Sequence, residues 1–147
     1  MTDLKKQRID AEDRGWIELR SLVARLTPEQ TTRDGYFDDW SVKDLMAHLG
    51  CWMAEAATML ERMRMGTFDG WDHDVEGRNR QWHETWRDVD LRTVWAELHS
   101  ARARMLEEWD LLAETTDDAD EWFRESAEEH YAEHLPRLRA WVEEMAG

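Results

Sequence analysis

The segment EWFRESAEEHYAEHLPRLRAWVEEM (Glu121–Met145) decides the fold. In it Trp122, Ser126, His130, His134, Leu138, Trp141 and Met145 follow one another at intervals of four, four, four, four, three and four. At about 100° per residue these positions form one inward stripe of a helix, with His130 near ~80°, Trp141 near ~100° and His134 near ~120° from Trp122. Two imidazoles one turn apart therefore point where a core should be. Buried polar groups need partners. The pair is either hydrogen-bonded to core carbonyls or carboxylates, or it closes on one metal ion.

Three further segments carry the same periodicity. The first predicted helix runs from about Asp3 to Leu26, with Ile9, Trp16, Leu19, Leu22, Val23 and Leu26 on its apolar side, and Thr27-Pro28 ends it. Ser41 and Asp44 approximate a capping box at the start of the second, which continues to about Met65 and buries Val42, Leu45, Leu49, Trp52, Met53, Ala56, Leu60 and Met63. The third spans about Leu91 to Ala113 with Leu91, Val94, Trp95, Leu98, Met105, Trp109 and Leu112 inward. The histidine helix is the fourth. Four amphipathic helices in one domain, residues 1–147, predict an all-α four-helix bundle.

The link from Gly66 to Asp90 is far longer than the usual 2–8 residues between bundle helices. The second helix is about 36 Å long, and such a link can cross that length, so a long crossover is expected with helices two and three parallel. A short helix around Asn79–Trp86 is expected within it.

Composition narrows the function. The chain has 147 residues, a net charge of −15 and ten tryptophans. That charge argues against nucleic acid or an anionic membrane as partner and reads as a solvated surface. The tryptophans imply a core or cleft lined with indoles. Cys51 is the sole cysteine, and no apolar run approaches a membrane span or signal peptide, so a reduced cytoplasmic protein is expected. Di-iron bundles need Glu-x-x-His on two helices, and no such spacing occurs. No Gly-x-Ser-x-Gly supports a serine nucleophile.

The run Trp40-Ser41-Val42-Lys43-Asp44-Leu45-Met46-Ala47-His48-Leu49, with Asn79 after the central loop and the late pair His130 and His134, resembles the DinB-like superfamily of four-helix bundles. That group includes the N-terminal domain of mycothiol-dependent maleylpyruvate isomerases and the bacillithiol transferases. The resemblance covers essentially the whole chain. It implies that His48, His130 and His134 bind one divalent metal. On periodicity alone His48 sits at the edge of its helix, beside Trp52 and Met59, where it either reaches a neighbouring helix or stays half exposed. Three imidazoles suit Zn, Ni or Fe(II) and leave a coordination position open for a water or a cofactor thiol such as mycothiol. Ring nitrogens within about 3–4 Å of one another are expected, with Glu55, Asp44 and Glu133 as candidate partners for the second nitrogens.

Trp52 and Arg102 are the candidate substrate-binding residues. Arg102, inside an apolar stripe, either holds an acidic ligand or pairs with a buried acid. Tyr131 points about 100° from His130 and reads as packing, Cys51 as an inert edge residue and His73 as a loop tip. Pro136 should bend the last helix. The isomerases carry a further C-terminal domain whereas this chain stops at Gly147, so their substrate is not carried over. The expected activity is thiol-dependent transfer or isomerisation, or metal-assisted hydrolysis, on a small electrophile in detoxification or stress. The alternatives are sequestration of an apolar compound in a Trp-rich cleft and a homodimer built on the apolar faces. Arginine outnumbers lysine 16 to 3, which hints at a GC-rich genome and favours mycothiol as the thiol.

Overall fold

Ser41 starts the helix that organises the molecule. In the computed structural model, which describes residues 3–147, its hydroxyl accepts from the Asp44 N–H, and the Asp44 carboxylate accepts from the Ser41 N–H at 2.9 Å. This reciprocal cap satisfies two of the donors a helix start leaves unpaired. The described residues form seven helices, α1 (Asp3–Ala24), α2 (Pro28–Thr32), α3 (Val42–Met65), α4 (Val75–Trp86), α5 (Leu91–Leu111), α6 (Asp117–Ser126) and α7 (Glu128–Ala146). Gly66 ends α3 with φ 74°, a left-handed conformation that glycine adopts without Cβ strain, and Thr67 N–H returns to the Arg62 carbonyl at 2.8 Å.

Cross-helix contacts fix the directions. Lys43 reaches the Arg87 and Val89 carbonyls, a Cβ on Gly50 would lie 3.4 Å from Leu98 Cα, Arg104 bonds Thr58 and Arg64 pairs with Glu108. Both sequences rise together, so α3 and α5 run parallel and the 66–90 segment is the crossover expected from its length. Between α1 and α5 the order reverses: Lys5 bonds the Asp110 and Leu112 carbonyls, Glu12 pairs with Arg102, and Trp16 stacks on Trp95. Arg8–Glu128, Glu12–Tyr131 and Glu18–Arg139 make α1 and α7 parallel. The bundle is thus all-α, with α1 and α7 pointing one way and α3 and α5 the other. No helix among the described residues is long and apolar enough to cross a membrane.

Two elements differ from the sequence reading. Pro28–Thr32 forms the short helix α2, capped by Thr27 and Gln30, where a loop was expected. The last helix is not continuous: the backbone leaves the helical region at Ala127 (φ −117°, ψ −101°), dividing it into α6 and α7. Tertiary ion pairs straddle this break. The Arg8 guanidinium holds Asp120 on one side at 2.6 Å and Glu128 on the other at 3.2 Å, and Arg124 likewise joins Asp120 to Glu129. Docking against α1 overrides a local sequence that has no breaker.

The core is one cluster in which Trp109 stacks on Phe123 (centroids 4.4 Å apart), with Leu19, Leu45, Leu49, Met53 and Leu138 fully buried. At Gly15 helices α1 and α7 approach so closely that a Cβ would stand 2.3 Å from the Tyr131 ring. Gly15→Ala should therefore destabilise the protein by about 1–3 kcal/mol through overpacking, although alanine gains roughly 1 kcal/mol in helix propensity. Urea unfolding checks it; a midpoint at or above the parent value would show that Tyr131 gives way freely.

Candidate metal centre

His48 projects from the second turn beyond the Ser41 cap, and His130 and His134 from adjacent turns of α7, which runs antiparallel to α3. The Nε2 atoms of His48 and His130 lie 3.0 Å apart. One ligand atom from each of the three imidazoles falls within 4.8 Å of the others. The longest separation is wider than the 3–4 Å expected, but the three rings face one another, with centroids 4.8–5.1 Å apart. Trp40 packs its ring against the His48 edge at 5.6 Å and stacks on His83 at 4.6 Å, which holds His48 turned inward.

The electrostatics keep all three rings neutral. Burial, aided by the charge His134 would carry, pushes His48 down to about 4. Burial likewise lowers His130 well below the usual histidine value, with His48 and His134 adding to it, and lowers His134 against the opposing pull of Glu133. Neutral imidazoles keep a lone pair for a metal. His130 Nδ1 and His134 Nε2 are buried without a hydrogen-bond partner. Orphaned buried nitrogens are costly, and three imidazoles that bring one ligand nitrogen each within 4.8 Å of one another offer a divalent cation its donors, so the residues present fit a metal.

The sign of the pH dependence follows. In metal-free protein the unfolded chain accepts protons that folded His48 refuses, so stability is full above the ordinary value of 6.5 and is lost as pH falls toward about 4. Urea midpoints measured in chelator between pH 7.5 and 5 should drop more steeply for the parent chain than for His48→Asn. Equal slopes would mean that folding leaves His48 free to protonate.

The histidines line a cleft of about 1120 Å³. Its walls include Trp52, Trp71 and Trp122, whose rings meet at 5.6 Å, and the turn 36–40. In that turn Asp38 takes φ 52°, which a short polar side chain tolerates. Trp52 donates its Nε1–H to Asn79 Oδ1 at 2.7 Å, tying α3 to α4 at the cleft wall. The structure thus places Trp52 in the cleft beside the histidines.

Arg102 is a correction: it does not line the cleft. Its guanidinium grips Glu12 through two bonds of 2.6 and 2.7 Å, also meets Asp13, and lies over the Trp16 ring. Glu12 is wholly buried, and the Tyr131 hydroxyl donates to it at 2.8 Å. Arg102 is committed to a buried acid and not to a ligand. Two of the three expected carboxylate partners of the imidazoles are engaged elsewhere, Asp44 in the helix cap and Glu55 as acceptor from Trp71 Nε1–H, while Glu133 lines the cleft and acts on His134 through its charge. Cys51 is half buried, and burial with the nearby Glu55 pushes its thiol up to about 12, which suits the inert reading.

One set of cleft residues escaped the sequence reading. Asp118, Glu121, Glu125 and Glu129 line the cleft as well, beside Glu133. Their signal was present: spacings of three and four place them on the stripe adjoining Trp122, Ser126, His130 and His134.

The profile of the mycothiol maleylpyruvate isomerase N-terminal domain matches residues 13–146. The chain belongs to this family. As a mycothiol maleylpyruvate isomerase N-terminal domain family member it shares its fold with the crystal structure of an uncharacterised protein from Escherichia coli UTI89. That structure superposes with a TM-score of 0.82 at 16% identity, covering 99% of this chain and 96% of that one. At such identity the likeness concerns the fold alone. No curated protein matches the chain in sequence. Within this family member, His48, His130 and His134 are the group among the described residues that could hold a metal ion.

Proposed function

We propose that this chain is a metal-dependent transferase that joins a low-molecular-weight thiol, mycothiol by family membership, to a small electrophile in a detoxifying role, or an isomerase that adds the same thiol and releases it again. The observation that carries this reading is the meeting of three neutral imidazoles, two with orphaned buried nitrogens, on the wall of a large aromatic cleft. His48, His130 and His134 would hold the ion, with zinc, nickel and iron(II) all matching imidazole donors. A divalent ion held there would lower a thiol's pKa and make it a nucleophile at neutral pH.

The chain's own residues supply the rest. Trp40 orients His48, and burial keeps the ring nitrogens unprotonated. Trp52, Trp71 and Trp122 offer flat apolar faces that position a substrate and exclude water around it. Asn79 fixes Trp52 through its indole N–H. The proposal includes a cytoplasmic location, where Cys51 and the thiol co-substrate stay reduced.

The aromatic walls also favour a second reading, sequestration without chemistry. Metal analysis of the purified protein, followed by thiol consumption assays with 1-chloro-2,4-dinitrobenzene and mycothiol, separates the two. The transferase reading expects one divalent ion per chain and thiol loss that a chelator stops. A protein that takes up no added zinc, nickel or iron, and binds aromatic compounds regardless of chelator, would be a sequestration protein. Product formed without thiol would indicate hydrolysis.

A further inference from the structure

A second cavity lies across α3 from the histidines. It is a groove of about 690 Å³ between the end of α1, the short α2 and the start of α5. Met46 floors it, whereas His48, two residues on and so about 200° round the helix, faces the cleft. Its walls are Ile17, Val23, Leu26, Leu91 and Trp95, and Ile17 stays exposed although it is a large apolar side chain. A concave apolar space of this size, with a few polar groups among its lining, has the build of a small-molecule site.

The charges around the groove are of one sign. Arg20 and Arg92 line it, and among the described residues no acid does, although the chain carries 34. Neither arginine has an ion-pair or hydrogen-bond partner among the described residues. The register of the antiparallel pair α1 and α5 brings them together: Glu12 meets Arg102 and Trp16 stacks on Trp95, so Arg20, one turn after Trp16, stands level with Arg92. Two guanidinium charges at one end of an apolar groove repel each other, and an anion seated between them turns that repulsion into attraction. The positive field extends along the same helix pair: the His99 imidazole is held below its ordinary range, first by burial and then by Arg20 and Arg102. Ser21, next to Arg20, adds a hydroxyl donor to the lining.

We infer that this groove is a binding site for an amphipathic organic anion, a carboxylate on a hydrocarbon body, with the body against Leu26, Leu91 and Trp95 and the carboxylate between Arg20 and Arg92. The occupant is a small molecule rather than a second copy of the chain. Each copy carries a net charge of −15, so two copies repel, whereas a single carboxylate answers the two cations locally. The inference goes beyond the reading of the three-histidine cleft and stands whether or not that cleft binds a metal.

Octanoate and octanol serve as probes, titrated into zinc-treated and into chelator-treated protein and followed by calorimetry. Octanoate should bind about tenfold or more tightly than octanol, with less advantage in high salt and equally with and without zinc. Arg20→Gln/Arg92→Gln should bring octanoate down to the affinity of octanol, whereas Arg62→Gln/Arg80→Gln, on exposed positions outside the groove, should keep the difference. Ala24→Trp, at an exposed position of the groove wall, should block both probes in protein that melts as the parent does. Octanol binding as tightly as octanoate, a preference unchanged in the Arg20/Arg92 variant, or octanoate displaced by zinc overturns the inference. So does a dimer in sedimentation analysis that Ala24→Trp dissociates, which would make the groove an interface between copies.

Discussion

Arg102→Met should lower the free energy of unfolding by about 3–5 kcal/mol, the usual consequence of removing one partner from a buried ion pair. Glu12 has no solvent exposure, and the Arg102 side chain is 18% exposed. The carboxylate is sustained by two guanidinium bonds and the Tyr131 hydroxyl, so the variant leaves a buried charge with one neutral donor. Desolvation then dominates, because the lost attraction no longer offsets it. The double variant Glu12→Leu/Arg102→Met removes both charges and should recover a large part of the loss. Urea unfolding of both proteins, with Tyr131→Phe as a third, tests the account. A single variant within 1 kcal/mol of the parent, or a double variant no better than the single, would show that the pair contributes little.

His134→Ala and Leu138→Ala, one turn apart on α7, should fail in opposite ways. His134→Ala should abolish metal uptake and metal-dependent turnover while changing the stability of metal-free protein little. Its Nε2 is buried without a partner, so truncation removes an unsatisfied group along with some packing. What the variant loses is the stabilisation that a metal confers by binding only the native state. Leu138 is fully buried, and Leu138→Ala should cost about 2–5 kcal/mol through the cavity it opens while leaving metal stoichiometry intact. Thermal melts with and without chelator distinguish these outcomes. If chelator leaves the parent melting temperature unchanged, the histidines are core residues.

Most of the architecture was legible because its signals are local. Ser41, Asp44 and Gly66 bound α3 by capping chemistry, and the length of the 66–90 link foretold parallel α3 and α5. The break at Ala127 was not legible. Ser126, Ala127 and Glu128 are ordinary helix residues, and what surrounds the interruption is the grip of Arg8 on Asp120 and Glu128, partners more than a hundred residues away in sequence. The candidate site divided in the same way. The stripe on α7 aimed His130 and His134 inward, whereas the inward turn of His48 depends on Trp40 and on the antiparallel placement of α7. Arg102 misled because an arginine in an apolar stripe looks the same whether its partner is a ligand or, as here, a glutamate on another helix.

Helix α4 contributes no fully buried residue, yet Val75 and Asn79 from it, with Phe68 and Trp71 just before it, form part of the cleft wall. Part of the cleft wall is therefore carried by a stretch outside the core, while His48, Trp52 and Trp122 come from the helices that build it. Substitutions at Phe68, Trp71, Val75 or Asn79 can thus reshape that part of the wall at less thermodynamic risk than substitutions in the long helices.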